Sequence, residues 1–83
     1  MRDRIPKKEI DKWLSKIKRE LKNVKPKNKK GKEYLENINA YVNDCEHFLK
    51  KKDLFLSWEC CLWAWAYFTI SKDLRLLVKQ KCK

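Results

Sequence analysis

The sequence has little of the two residues that break helices, with a single glycine and two prolines among 83 residues. Glycine and proline punctuate turns and end helices, so their scarcity, together with 40% charged residues, favours a few long helices. A chain of this length buries only about 60 to 65% of the surface that its unfolded form exposes. We therefore predict one small domain, residues 1–83, of the all-α class, with the architecture of a three-helix antiparallel bundle.

The sequence also lacks the residue sets that catalysis and metal binding require. It has one histidine, His47, and four cysteines without a Cys-x-x-Cys spacing, so we predict no zinc site. A glycine-rich phosphate loop is missing as well. Asp44 and His47, three residues apart on a helix, are interpreted as a solvated surface pair, because catalysis needs a nucleophile, a base and a stabilising group at one point. We expect no catalytic residue, no cofactor and no small-molecule substrate, hence no enzyme.

Long hydrophobic runs are few. The segment Met1 to Pro6 is charged and is not followed by the apolar stretch of a signal peptide. The longest apolar run, Leu54 to Ile70, contains Glu59 and is shorter than the about 20 residues of a membrane-spanning helix. The sequence therefore predicts a cytoplasmic protein without a membrane segment.

Positive charge is abundant and unevenly distributed. The formal net charge is +11, and residues 1–32 hold fourteen basic and four acidic residues. Such a charge favours contact with polyanions, although a lysine-rich proteome of a heat-loving organism would explain it equally. The predicted polyanion contacts form a stripe on the first helix and continue into the loop that follows: Lys8, Lys12, Lys16, Arg19, Lys22, Lys27, Lys29 and Lys30.

Apolar residues recur at helical spacing in three segments, which predict helices over about residues 7–24, 32–51 and 53–78. Lys25 to Gly31 separates the first two and is predicted to be an exposed connector. Asp53 is expected to cap the third helix by accepting a bond from a first-turn amide. Because the second connection is so short, the second and third helices are expected to run antiparallel.

The third helix is apolar on nearly every side, and two neighbouring helices can cover only part of it. We predict that its uncovered rings form an interface, at Phe55, Trp58, Trp63, Trp65, Tyr67 and Phe68. Alternatively, the first helix and residues 72–78 fold over this face. A strip of small residues, Ser57, Cys61 and Ala64, permits close approach of a neighbouring helix or is the exposed side. Glu59 is expected to reach a lysine of a neighbouring helix.

Several of these residues fall into a known pattern. Ile38, Tyr41, Asp44, Cys45 and Phe48 precede a turn with Asp53, after which come Trp65, Ala66 and Tyr67. Between Glu33 and Leu77 the chain resembles the archaeal family called domain of unknown function 357, in which Tyr-x-x-Asp-Ala-x-x-Phe precedes a Gly-Asp turn and an Ala-Tyr-Ala type of helix. Cys45 and Lys52 depart from that pattern. The resemblance implies an archaeal cytosolic three-helix protein and no particular activity.

The residues are compatible with two functions. The first is an interaction module that forms a homo-oligomer or docks on a protein partner through the aromatic helix. The alternative is a basic protein that associates non-specifically with RNA or DNA. We favour the first, because a lysine-rich proteome would account for the excess lysine, whereas it would not account for so much tryptophan in one helix.

Overall fold

The computed structural model describes residues 6–79 and contains three helices, α1 (Lys7–Leu21), α2 (Lys29–Lys50) and α3 (Leu54–Asp73). Two short strands, β1 (Val24–Pro26) and β2 (Leu77–Lys79), pair antiparallel, with Val24 opposite Lys79 and Pro26 opposite Leu77. The predicted all-α three-helix bundle is confirmed. The strand pair, which periodicity did not predict, is a small addition that joins the α1–α2 connection to the segment after α3.

The helix boundaries differ from the predictions at three points. Helix α1 ends at Leu21 instead of residue 24, because Val24 and Pro26 pair with β2. Helix α2 begins at Lys29 instead of residue 32, because the Asn28 side-chain oxygen accepts the Gly31 amide at 2.9 Å and so caps the helix inside the predicted connector. Helix α3 ends at Asp73, so the prediction that it reaches residue 78 is wrong.

The early end of α3 follows from a left-handed residue at its C-terminus. Arg75 has φ 60°, and the Leu76 amide donates to the Ser71 carbonyl at 2.8 Å, which closes the last turn. The chain then reverses, and the Lys27 amide donates to the Leu76 carbonyl at 2.8 Å. Glycine is the usual residue at such a position, so a sequence with arginine there carries no stop signal.

Helix α2 ends in the same way. Lys52 has φ 63°, and the Asp53 amide donates to the Phe48 carbonyl at 2.9 Å. Asp53 then accepts the Leu56 amide at 3.2 Å and caps α3, as predicted. Lys52 and Asp53 therefore produce the sharp reversal between α2 and α3.

The core forms where the three helices meet. It contains Ile10, Leu14, Ile17, Ile38, Val42, Cys45, Cys61, Ala64, Phe68 and Leu77. The strip of Ser57, Cys61 and Ala64 is at most 1% exposed, so of the two alternatives it is the closely packed side of α3. The Ser57 hydroxyl donates to the Cys45 carbonyl on α2 at 2.8 Å, which satisfies a buried polar group.

Gly31, the one glycine of the sequence, lies at the start of α2, where the chain passes Leu76, the residue directly before β2. A Cβ atom there would lie 2.2 Å from the Leu76 carbonyl oxygen. Only glycine allows this approach, which brings the α2 N-terminus against the reversed chain after α3.

We predict that Lys52→Gly stabilises the protein by about 0.5 to 1 kcal/mol, because glycine adopts the left-handed conformation without the steric cost that a side chain incurs. The matched control is Lys51→Gly, where φ is −83° and glycine only adds freedom to the unfolded chain, so stability should fall. Urea denaturation followed by circular dichroism measures both. A Lys52→Gly protein less stable than the parent would contradict the assignment of this turn.

Candidate interaction surface

Helix α3 carries the large exposed apolar side chains of the described residues. These are Phe55, Leu56, Leu62, Trp63 and Ile70, together with Leu74 at its C-cap; we call this set the α3 outer face. Trp63 is 54% and Leu62 49% exposed. Several large apolar side chains exposed on one side of a helix are characteristic of a site that binds another macromolecule.

The predicted interface residues are divided by the structure. Phe55 and Trp63 lie on the α3 outer face, whereas Trp58, Trp65 and Tyr67 are half-buried on its flanks. The prediction for Phe68 is wrong, because its ring lies in the core at 2% exposure.

Aliphatic members of the α3 outer face were missed. Leu62 lies two turns after Phe55, and Ile70 lies two turns after Trp63, so each pair shares a side of the helix. That spacing was the signal that could have found them, but the prediction was restricted to aromatic rings.

Trp63 is held in place although more than half of it is exposed. Its ring stacks on Tyr41 of α2, with centroids 6.4 Å apart and planes at 22°, and lies 6.3 Å from the ring of Tyr67. Tyr41 also stacks on Tyr67 at 5.6 Å. A ring supported in this way loses little conformational entropy on binding, which favours its use as an anchor.

A groove between α1 and α3 adjoins this face. It has a volume of about 470 Å³ and is lined by Glu9, Trp13, Trp58, Cys61, Leu62 and Trp65. The Trp65 indole nitrogen donates to the Trp13 carbonyl at 3.2 Å, and the two rings meet edge to face at 5.7 Å. Leu62 belongs to both the groove and the α3 outer face, so the two surfaces are continuous.

The sequence pattern of the family described as "Protein of unknown function (DUF357)" matches residues 12–77. The chain belongs to the DUF357 family. Protein AF1782 from Archaeoglobus fulgidus, a DUF357 protein with a crystal structure, is 32% identical and superposes with a TM-score of 0.81, covering 89% of this chain and 92% of that chain. A search of curated proteins finds no match. The family match extends beyond the predicted region of resemblance to include most of α1.

The departures from the DUF357 pattern have structural consequences. Lys52, where the family pattern has glycine, occupies the left-handed position at the end of α2. Cys45, where the pattern has alanine, is fully buried and faces α3, where its sulfur lies 3.3 Å from the Ser57 hydroxyl oxygen.

Three of the four cysteines of this DUF357 protein lie within the described residues, and none forms a disulfide there; Cys82 lies outside them. The hydrogen bond from the Cys61 thiol lowers the pKa of Cys45 to about 7, against the effect of burial. The same hydrogen bond, together with burial, raises the pKa of Cys61. Burial also raises the pKa of Cys60, which is only half-buried.

The acidic side chains of residues 6–79 form neither the predicted ion pair of Glu59 nor a metal-binding group. Glu59 is exposed, and the ion pairs found among residues 6–79 are Lys7 with Asp11 and Lys18 with Glu46. The expected pairing of Glu59 with a lysine is therefore wrong within this range. In the same range, no three histidine, cysteine or acidic side chains come together in a metal-binding group. No helix there is long and apolar enough to cross a membrane.

The eight predicted polyanion contacts are all exposed. None of them takes part in the two ion pairs found in the described part of the chain. Lys12 and Lys16 extend over the Trp13 ring, with their ammonium nitrogens 5.4 Å and 5.1 Å from its centroid. The basic stripe of α1 thus runs along one edge of the groove.

We predict that a thiol-alkylating reagent modifies Cys60 before Cys45 and Cys61 in the folded Cys82→Ser variant. Cys45 has the lower pKa, but it is 0% exposed and Cys61 is 1% exposed. The rate of alkylation therefore depends more on the access of the reagent to the sulfur than on the fraction of thiolate. Tandem mass spectrometry of a time course gives the order. In denaturant, which serves as the control, all three cysteines should be modified at similar rates. Earlier modification of Cys45 in the folded protein would show that the α2–α3 contact opens readily.

Proposed function

We propose that this protein is a small interaction module that pairs with a second copy of itself through the α3 outer face. The observation that carries the proposal is the concentration of large exposed apolar side chains on one helix of a chain that is 40% charged. Covering such a surface releases about 25 cal/mol for each Å² of apolar area removed from water. The supported Trp63 ring and the flanking Leu62 and Ile70 are its anchors.

The α3 outer face can complement itself when a second copy lies in antiparallel orientation. Glu59 lies in the N-terminal half of the helix, whereas Lys72 and Arg75 lie at its C-terminal end beside Asp73. An antiparallel pair brings Glu59 of each copy to the C-terminal end of the other, where Asp73 repels it and Lys72 and Arg75 attract it, so charge does not set the orientation. A twofold axis also satisfies the requirement that one patch complement itself.

A small side chain lies at the centre of this face. Ala66 is exposed, with Leu62 four residues before it and Ile70 four residues after it. Two helices can approach closely at alanine, and a twofold axis near Ala66 would place Leu62 of one copy opposite Ile70 of the other. The net charge of +11 opposes association, but salt screens it, since the Debye length is about 8 Å at physiological ionic strength.

We predict that the protein dimerises at micromolar concentration and that Trp63→Glu or Ile70→Glu raises the dissociation constant by about tenfold or more, because a carboxylate would be buried at the contact. Sedimentation equilibrium measures the constant. The matched control is Ala40→Glu, an exposed apolar position on α2 away from α3. Circular dichroism establishes that each variant is folded.

Raising the salt concentration should strengthen the dimer, because it screens the repulsion between two cationic copies. A protein that remains monomeric at millimolar concentration would contradict the proposal. A dimer unaffected by both substitutions would place the contact elsewhere.

A second candidate function is non-specific binding of RNA or DNA by the basic stripe of α1 and the residues that follow it. The observation that favours it is the exposure of all eight basic residues without an acidic partner in residues 6–79. Lysine presents a point charge to phosphate, and the stripe has few of the side chains that discriminate base edges.

For this candidate we predict an affinity that falls steeply with salt, with log K decreasing by about 0.9 for each phosphate neutralised on duplex DNA. The double variant Lys8→Gln and Lys22→Gln should make that slope shallower by about 2, because two phosphate contacts are lost. Lys51→Gln and Lys52→Gln together, at the opposite turn, serve as the control. Fluorescence anisotropy with labelled RNA and DNA measures the slopes, and an absence of binding at low salt would eliminate the candidate.

A further inference from the structure

The groove between α1 and α3 is built largely from indole rings. Trp13, Trp58 and Trp65 line it, so it takes up three of the four tryptophans of the sequence. Two contacts fix the walls: the Trp65 indole nitrogen donates to the Trp13 carbonyl, and the Trp65 ring meets the core ring of Phe68 edge to face at 5.8 Å. Trp65 therefore keeps its position in the wall of the groove when a ligand enters.

A single carboxylate faces these rings. Glu9 lines the groove and accepts a hydrogen bond from the Trp13 indole nitrogen at 3.1 Å, which holds it at the edge of the aromatic surface. No lysine or arginine among residues 6–79 lies within ion-pair distance of Glu9. The groove thus combines aromatic faces with a negative charge that lacks a cationic partner in this range.

This combination selects among classes of ligand. Inside the groove an anion would meet the Glu9 carboxylate, whereas Lys12 and Lys16 lie over the Trp13 ring and outside the groove lining. A neutral apolar ligand would remove that carboxylate from water without offering it a counter-charge, which costs free energy. An organic cation gains from both features, because the faces of indole rings attract cations and the carboxylate pairs with them.

The same chemistry is visible elsewhere in the molecule. The ammonium groups of Lys12 and Lys16 lie over the Trp13 ring, and that of Lys72 lies over the Phe68 ring at 5.1 Å. No lysine or arginine of the described residues lies over Trp58 or Trp65 in this way. These two rings, which line the groove, therefore have no cation of the described residues over them.

We infer that the groove of Trp13, Trp58 and Trp65 is a binding site for an organic cation, an alkylguanidinium or alkylammonium group, with Glu9 as its counter-charge. The flat guanidinium group suits it well, since guanidinium stacks on aromatic faces and pairs with a carboxylate at the same time. The cation is supplied by an arginine side chain of another polypeptide or by a small free amine. The inference stands apart from dimer formation, because the groove is complete in one copy of the chain.

The test is a titration of the isolated protein with N-acetyl-arginine methylamide, followed by the indole N–H signals in ¹H–¹⁵N NMR spectra. The expected result is saturable shifts of the Trp13, Trp58 and Trp65 signals, with Trp63 unaffected. The matched probe is N-acetyl-citrulline methylamide, which has nearly the same shape without the charge, and it should bind about three- to tenfold more weakly. Equal binding of the two probes would overturn the inference.

Two substitutions test the residues. Glu9→Gln should weaken binding of the arginine probe about three- to tenfold and leave the citrulline probe unchanged. Glu36→Gln, an exposed carboxylate on α2, is the matched control and should change neither. Trp58→Leu, at a half-buried ring, should weaken the arginine probe while the protein stays folded. An unchanged affinity in Glu9→Gln would also overturn the inference.

A parallel titration with tetramethylammonium distinguishes the two sources of the cation. Tighter binding of the arginine probe assigns the site to a polypeptide side chain, and tighter binding of tetramethylammonium assigns it to a small amine. The absence of binding by both probes would contradict the site. Sedimentation of the same variants separates this result from dimer formation, since Glu9→Gln leaves the α3 outer face intact.

Discussion

The close packing of α3 on α2 through small side chains is the constraint on which the rest of the structure depends. Ser57, Cys61 and Ala64 fill the buried side of α3, and Ser57 is bonded to the α2 backbone. Phe68 is the one large side chain on this buried side, so the other large side chains of α3 lie on its flanks and outer side. The exposed Trp63 and the tryptophan-lined groove both follow from this arrangement.

The two left-handed turns complete that arrangement. Lys52 reverses the chain between α2 and α3, so the two helices pack along their length. Arg75 reverses it again after α3 and directs β2 onto β1, where Gly31 allows the backbones to approach. Because the segment after Asp73 leaves the helix axis, it does not fold over α3. The outer face therefore stays open. Of the alternative that the first helix and residues 72–78 fold over α3, only the part that concerns α1 holds, at the Trp65 flank.

Charge and apolar surface are segregated in this molecule. The basic stripe follows α1 and the start of α2, while the α3 outer face has Glu59 and the residues of its C-terminal end as its charges. The two surfaces respond to salt in opposite directions: screening strengthens an apolar contact between cationic copies and weakens a contact with phosphate. The groove lies between them, bordered by Lys12 and Lys16 on one side and by Leu62 on the other.

The number of helices, the cap at Asp53 and the surplus of apolar surface on α3 could all be predicted from the sequence, because periodicity, capping residues and composition act locally. The ends of α1 and α3 could not be predicted. Val24 lies outside α1 because it pairs with a strand residue more than fifty positions away, and Arg75 occupies a left-handed position that favours glycine. The burial of Phe68 and the position of Glu9 beside three indole rings likewise emerge only when the helices pack. The side of an all-apolar helix that turns inward depends on the shape of its neighbours and not on its own hydrophobicity.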